Sequence, residues 1–284
     1  MTTINTTPTL VQHNQSAAEY HAAPGASASR LKQFQRSAAH MKHSIDNPQE
    51  PTPAMIIGSA THSAILEPDL FAKEWGRLPE GDGRSKAVKE AKAELIVQFG
   101  VGQILKPDVY DNILAMRDSV LDNALALDLL DGADTEVSHY WAERYIRGIK
   151  PLEVDCKARI DALPREDSMW SDCVVDIKTT ANASPEEFRR SCFNFLYHIQ
   201  CQHYLSAANR GRFIFIVVER DAPHCVAIYE LDDDALELGR QTRDSLLGQW
   251  AFCEAEEAEG LPDAWPGFPV EIQELSLPGW AYTQ

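Results

Sequence analysis

Asp176 and Lys178 stand two residues apart in the run CVVDIKTT at 173–180. The run is short and rich in β-branched residues, so it reads as a strand. Side chains on a strand alternate between faces, which puts Asp176 and Lys178 on one face, about 6.6 Å apart along the chain, with Val175 and Ile177 facing away. The preceding run, CKARIDAL at 156–163, reads the same way. Lys157, Arg159 and Asp161 share one face, and Cys156, Ala158 and Ile160 share an apolar one. Consecutive strands are usually neighbours, so Asp161 and Asp176 can converge. Two converging carboxylates repel unless a cation sits between them, and oxygen donors of this kind suit magnesium or manganese. A lysine beside them brings positive charge to a water or a phosphate oxygen. Such a set suits phosphodiester hydrolysis. The same spacing fits a plain salt bridge between strands, and spacing alone does not choose.

Three further groups are candidates. His62 lies in a stretch with Gly58, Ser59, Ala60 and Ala64; these small residues permit close packing, although a lone histidine is commonly a core or surface residue. Tyr197, Gln200 and Tyr204 fall at offsets of three and seven, on one face of a helix. That face is either the packed side of an amphipathic helix or a polar edge near a nucleic-acid backbone. Glu136, on the first predicted strand, is a site candidate without an assigned role. The six cysteines form no CxxC pair and lie mostly in apolar runs, so they read as buried free thiols. No spacing supports structural zinc or an iron–sulfur cluster.

These residues need positioning elements. Residues 1–24 are polar and read as a flexible tail, and 27–39 as a serine-capped helix. Residues 44–54 carry three prolines and read as a loop. A helix through MIIGSATHSAIL ends before Pro68. Residues 72–88 read as an exposed loop, and 87–99 and 107–128 as helices. After 133 the pattern changes to three strands, one long helix over 185–208, two more strands, and an acidic helix over 232–256. This order predicts an α/β fold with a central mixed sheet. Helices over 25–130 pack on a core formed by 131–284, with 25–284 as one domain.

With 284 residues, the chain can bury a sizeable core. No stretch of 18 apolar residues occurs, and the N-terminal sequence lacks a basic region followed by an apolar run. No membrane association and a cytoplasmic location are expected. The net charge of −17 opposes loose coating of DNA, since phosphate binding draws on basic residues. Local basic patches and bound cations can offset it.

Five motifs in order resemble the RecE-like exonuclease (exodeoxyribonuclease VIII) family of the PD-(D/E)XK nuclease superfamily. They are SASRLKQF at 27–34, GSATHSAILEP at 58–68, KARIDAL at 157–163, DIKTT at 176–180, and YHIQCQHY at 197–204; the tail LPGWA also fits. The resemblance implies the PD-(D/E)XK core, with its central mixed sheet flanked by helices and added N-terminal helical elements. Carried over residue by residue, it implies His62, Asp161 and Asp176 as ligands to Mg2+, with Mn2+ able to substitute. It makes Lys178 the catalytic lysine, adds the Ile177 carbonyl to the metal shell, and puts Tyr197 and Gln200 in support of the site. Ile160 stands where the superfamily name expects proline. The resemblance further implies degradation of linear double-stranded DNA from its ends, 5′ to 3′, leaving 3′ overhangs for recombination in phages or prophages. A single-strand annealing protein as partner and a ring of three or four chains follow from it too. A single-strand nuclease or endonuclease on the same core, and an inactive binding or inhibitory protein, are the competing readings.

Overall fold

A computed structural model describes residues 3–6, 10–82, 84–147, 150–277 and 281. The expected LPGWA match at 277–281 falls mostly outside them. The chain opens with strands β1 (Thr3–Thr6) and β2 (Leu10–Gln12), then helix α1 (Ala17–Ala22). A capping box closes the N-terminus of α1: Ser16 accepts from the Glu19 backbone N–H, and the Glu19 side chain accepts from that of Ser16. Its C-terminus is held by the buried Lys157 ammonium, which donates to the carbonyls of Tyr20, His21 and Ala23 at 2.6, 3.3 and 2.5 Å.

Where a single helix is expected over 27–39, two form, α2 (Ala28–Arg36) and α3 (Ala38–Asp46). Ser37 divides them. Its extended backbone ends α2, and its hydroxyl accepts from the His40 N–H to start α3. Helix α4 (Pro53–Leu66) follows, with Thr52 as cap and Pro53 in the first turn, and then α5 (Pro68–Glu74). The segment expected as a loop holds β3 (Gly76–Arg77), and α6 (Lys86–Phe99) begins within it. A 3-10 turn (Val101–Gln103) leads to β4 (Ile104–Leu105), which pairs in parallel with β3. The helix expected over 107–128 is also two, α7 (Pro107–Leu121) and α8 (Ala124–Leu130). There the Asn123 side chain accepts from the N–H groups of Leu125 and Ala126.

The predicted strands are β5 (Asp134–Arg147), β6 (Lys150–Leu163) and β7 (Cys173–Thr180). Helices α9 (Pro185–Asn194) and α10 (Tyr197–Ala208) replace the one expected over 185–208; Leu196 between them has a left-handed backbone (φ 55). Strands β8 (Arg212–Glu219) and β9 (Val226–Glu230) and the long helix α11 (Asp233–Ala258) follow. The main sheet runs β1-β5-β6-β7-β8-β9, with β2 also on β5. It is mixed, as expected: β7 and β8 are parallel and the other pairs antiparallel.

Each face of the sheet carries a hydrophobic core. On β8, Phe213, Phe215 and Val217 join a core built with α2, α10 and α11, while Ile214, Ile216 and Val218 join one built with α4 and α7. Strand β7 alternates likewise, Val174 against Val175 and Ile177. Strand β6 keeps this alternation only up to Ile160. Ala158 and Ile160 belong to the first core but Ala162 to the second, so the faces slip by one residue at Asp161. Opposite that slip, β5 pairs through Thr135↔Ala162 and Val137↔Ile160 and skips Glu136. The polar groups described next gather at this irregularity.

Candidate functional site

Beside the slip lies a groove of roughly 1020 Å3. Its walls come from α1, α2, α4 and α5, and its floor includes Glu136, Arg159 and Asp161. Helix α4 brings His62 over the sheet, with its Nδ1 3.3 Å from Asp161 Oδ2. The same Asp161 oxygen accepts from the Ile177 backbone N–H at 2.8 Å. Strands β6 and β7 share one ladder pairing, Ala162↔Val175, so the Asp161 carboxylate takes an N–H that a longer ladder would use. Glu136 reaches the cluster from β5. Its backbone is left-handed (φ 51), a conformation that is costly outside glycine and is found where a side chain is re-aimed at a site.

One ligand atom each from His62, Glu136 and Asp161 lie within 4.8 Å of one another. Burial and the neighbouring Asp161 charge push the Glu136 carboxyl up to about 7, against the opposing pull of Arg159 and His62. Two crowded carboxylates and an imidazole nitrogen form a donor set that fits a hard divalent cation.

A second group lies beside the first. Asp176, 1% exposed, takes the Lys178 ammonium on Oδ2 as an ion pair without good hydrogen-bond angles, and the Gln200 amide on Oδ1 at 2.7 Å. Gln200 in turn accepts from Lys32 of α2 at 3.1 Å. The Tyr197 ring lies 4.9 Å from the Lys178 ammonium and 5.0 Å from that of Lys32. Burial raises Asp176, against Lys178 and with Asp161. Burial alone would lower Lys178, but the Asp176 and Asp161 charges outweigh it and keep the ammonium protonated. Burial, with Lys178 nearby, brings Lys32 down to about 8.

Every residue singled out from the sequence therefore falls in or beside one place, but not in one cluster. His62 and Asp161 meet, and Glu136 joins them. Asp176, Lys178, Gln200 and Tyr197 form the adjoining group, and among the described residues Asp176 is not part of the three-residue cluster. The salt bridge considered from spacing exists, within β7 and not between strands. Lys32 belongs here as well, and its place in SASRLKQF at 27–34 is the sequence signal for it. The cysteines are free, buried except Cys225, and none joins the cluster.

A family model described as a PDDEXK-like domain of unknown function (DUF3799) matches residues 27–261. No curated protein matches the chain. A solved protein of Eubacterium rectale, assigned by its name as an exonuclease, is similar at 11% identity and TM-score 0.54, covering 93% of this chain and 97% of its own. SSO0001 (17% identity, TM-score 0.28, 83% of this chain and 96% of its own) is also matched. So is a phage-related exonuclease of Haemophilus somnus 129PT (12%, TM-score 0.29, 70% and 94%). Of these likenesses the first shows a shared fold, and the other two are too loose to carry an argument.

Proposed function

The chain belongs to the PDDEXK-like family DUF3799, and we propose that it is a metal-dependent nuclease whose centre is the groove at Asp161. The observation that carries this is the convergence of His62, Glu136 and Asp161 within 4.8 Å, next to a lysine paired with Asp176. His62, Asp161 and Glu136 would hold a divalent cation, Mg2+ with Mn2+ as substitute, and Asp176 and the Ile177 carbonyl are the further ligands we assign. Such a cation, when bound, polarises a phosphodiester oxygen and supplies a nucleophilic water at neutral pH.

The protein's own groups do the rest. The Lys178 ammonium, kept charged by Asp176, faces the negative charge that develops on the phosphoryl oxygens. The Gln200 amide fixes the Asp176 carboxylate, and the Tyr197 ring confines the lysine. Lys32 holds Gln200 in turn. Arg159 braces Glu136 through an ion pair of 2.5 Å.

We further propose the RecE-like mode suggested by the five ordered motifs: degradation of linear double-stranded DNA from its ends, 5′ to 3′, beside a single-strand annealing protein in recombination. The test compares linear and covalently closed circular duplexes with magnesium. Loss of the linear form alone, arrested by chelator and restored by magnesium or manganese, supports it. Equal loss of the circular form points to an endonuclease. Inertness on all DNA in either metal points to the inactive binding protein, a reading the net charge of −17 favours because an acidic surface imitates nucleic acid.

A further inference from the structure

Three cations, Lys157, Arg30 and Arg159, lie near His21 on the groove wall, and two are already committed. The Lys157 ammonium is held by the carbonyls at the end of α1. Arg30 donates from Nη1 to the Gly25 carbonyl at 2.6 Å. Arg159 differs. Its side chain is 15% exposed and its Nε forms an ion pair with Glu136, but neither the buried Nε nor the buried Nη1 makes a well-formed hydrogen bond among the described residues. A buried N–H without an acceptor is costly, and native structures keep few of them without a reason. The acceptor that is missing should be anionic, because a guanidinium is always charged and its planar fork matches phosphate.

Position says which phosphate. Arg159 and Asp161 both line the groove floor, two residues apart on β6. Two residues of extended strand span about 6.6 Å, close to one phosphate step along a nucleic-acid strand. A scissile phosphate at Asp161 would place its neighbour at Arg159. Resting on the nuclease reading above, we propose that Arg159 is a substrate-binding residue. Its guanidinium, on the groove floor and short of protein acceptors, grips the phosphodiester next to the scissile one, while Glu136 braces it through the ion pair at Nε.

The experiment replaces single phosphates flanking the cleaved bond with neutral methylphosphonates, one position at a time. It measures kcat/KM with magnesium for wild type, Arg159→Gln and Arg159→Lys. At one flanking position wild type should lose roughly tenfold or more, the size expected of a charge-assisted hydrogen bond. Arg159→Gln should lose a similar factor on the unmodified strand, mainly in KM, and less than about twofold more on the modified one. Arg159→Lys should recover part of the loss. If the losses instead multiply at every position, Arg159 serves only Glu136 and the proposal falls. The wild-type scan decides even where Arg159→Gln does not fold: no sensitive flanking position overturns the proposal. If wild type cleaves no nucleic acid in magnesium or manganese, the nuclease reading itself fails and takes the inference with it. Cleavage with multiplying losses removes the inference alone.

Discussion

Lys178 separates a catalytic centre from an ordinary buried ion pair. Both readings accept its contact with Asp176, but only one gives it a task in the reaction. Lys178→Met should lower single-turnover cleavage by on the order of 10² to 10³ while DNA and metal binding persist. Lys178→Arg should also be poor, because the larger planar guanidinium cannot reproduce a compact ammonium. Cleavage within a few-fold of wild type would assign Lys178 to stability alone. His203 gives an independent test of the packing. Its Nε2 faces the Ala26 and Lys157 carbonyls at 3.2 and 3.1 Å, and its Nδ1 faces Arg243 Nε at 3.4 Å. Those partners fit a neutral ring donating from Nε2 and accepting at Nδ1. Burial first, and the Arg243 charge second, bring its pKa down from 6.5 to about 3. The stabilisation linked to a neutral His203 is thus complete above the unfolded value of 6.5 and is lost as pH falls from there toward 3. His203→Gln should flatten the fall of the thermal midpoint between pH 7 and pH 4, which parallel curves for the two proteins would contradict. At this scale the sequence was informative where periodicity held. Asp176 and Lys178 share a face as alternation requires, and their contact follows. Glu136 was legible only as a candidate, because its left-handed backbone and the slip at Asp161 break the alternation by which faces are read.

Among the elements, α10 sets the site, since Tyr197 and Gln200 both stand on its first turn. Its position depends on α11. A Cβ added at Gly239 would lie 2.2 Å from the His198 carbonyl oxygen, so the two helices approach closely only because position 239 is glycine. Gly239→Ala should therefore cost about 1–3 kcal/mol of stability. By shifting α10 it should also lower cleavage more than nucleic-acid binding. Urea unfolding with cleavage rates measured on the folded fraction checks both; unchanged rates would separate α11 from the site. Element types were largely legible from hydrophobic pattern, and the strands from 134 onward fall where their periodicity puts them. The breaks were less so. Ser37 and Asn123 end and restart helices through their own side chains, a local competition that apolar spacing does not register. Leu196 interrupts 185–208 with a backbone conformation no leucine signals.

For the whole molecule, both cores draw on β6, β7 and β8, and we propose that 25–284 forms one unit. None of the described helices is long and apolar enough to cross a membrane. The charge of −17 remains the main obstacle to nucleic-acid binding. We propose that a closed ring of three or four chains, basic toward its channel, meets it. Light scattering at assay concentration should give such a mass, and an active, processive monomer would count against the ring. The sequence bears on assembly only through resemblance. The central claim concerns one carboxylate, which meets His62 and the Ile177 N–H at the edge of the groove. Its most direct test is single-turnover cleavage of a labelled linear duplex in magnesium by Asp161→Ala, with folding verified by circular dichroism. Cleavage should fall to background while the circular dichroism spectrum and melting transition remain those of a folded protein; a folded Asp161→Ala that cuts at near the wild-type rate would contradict the account.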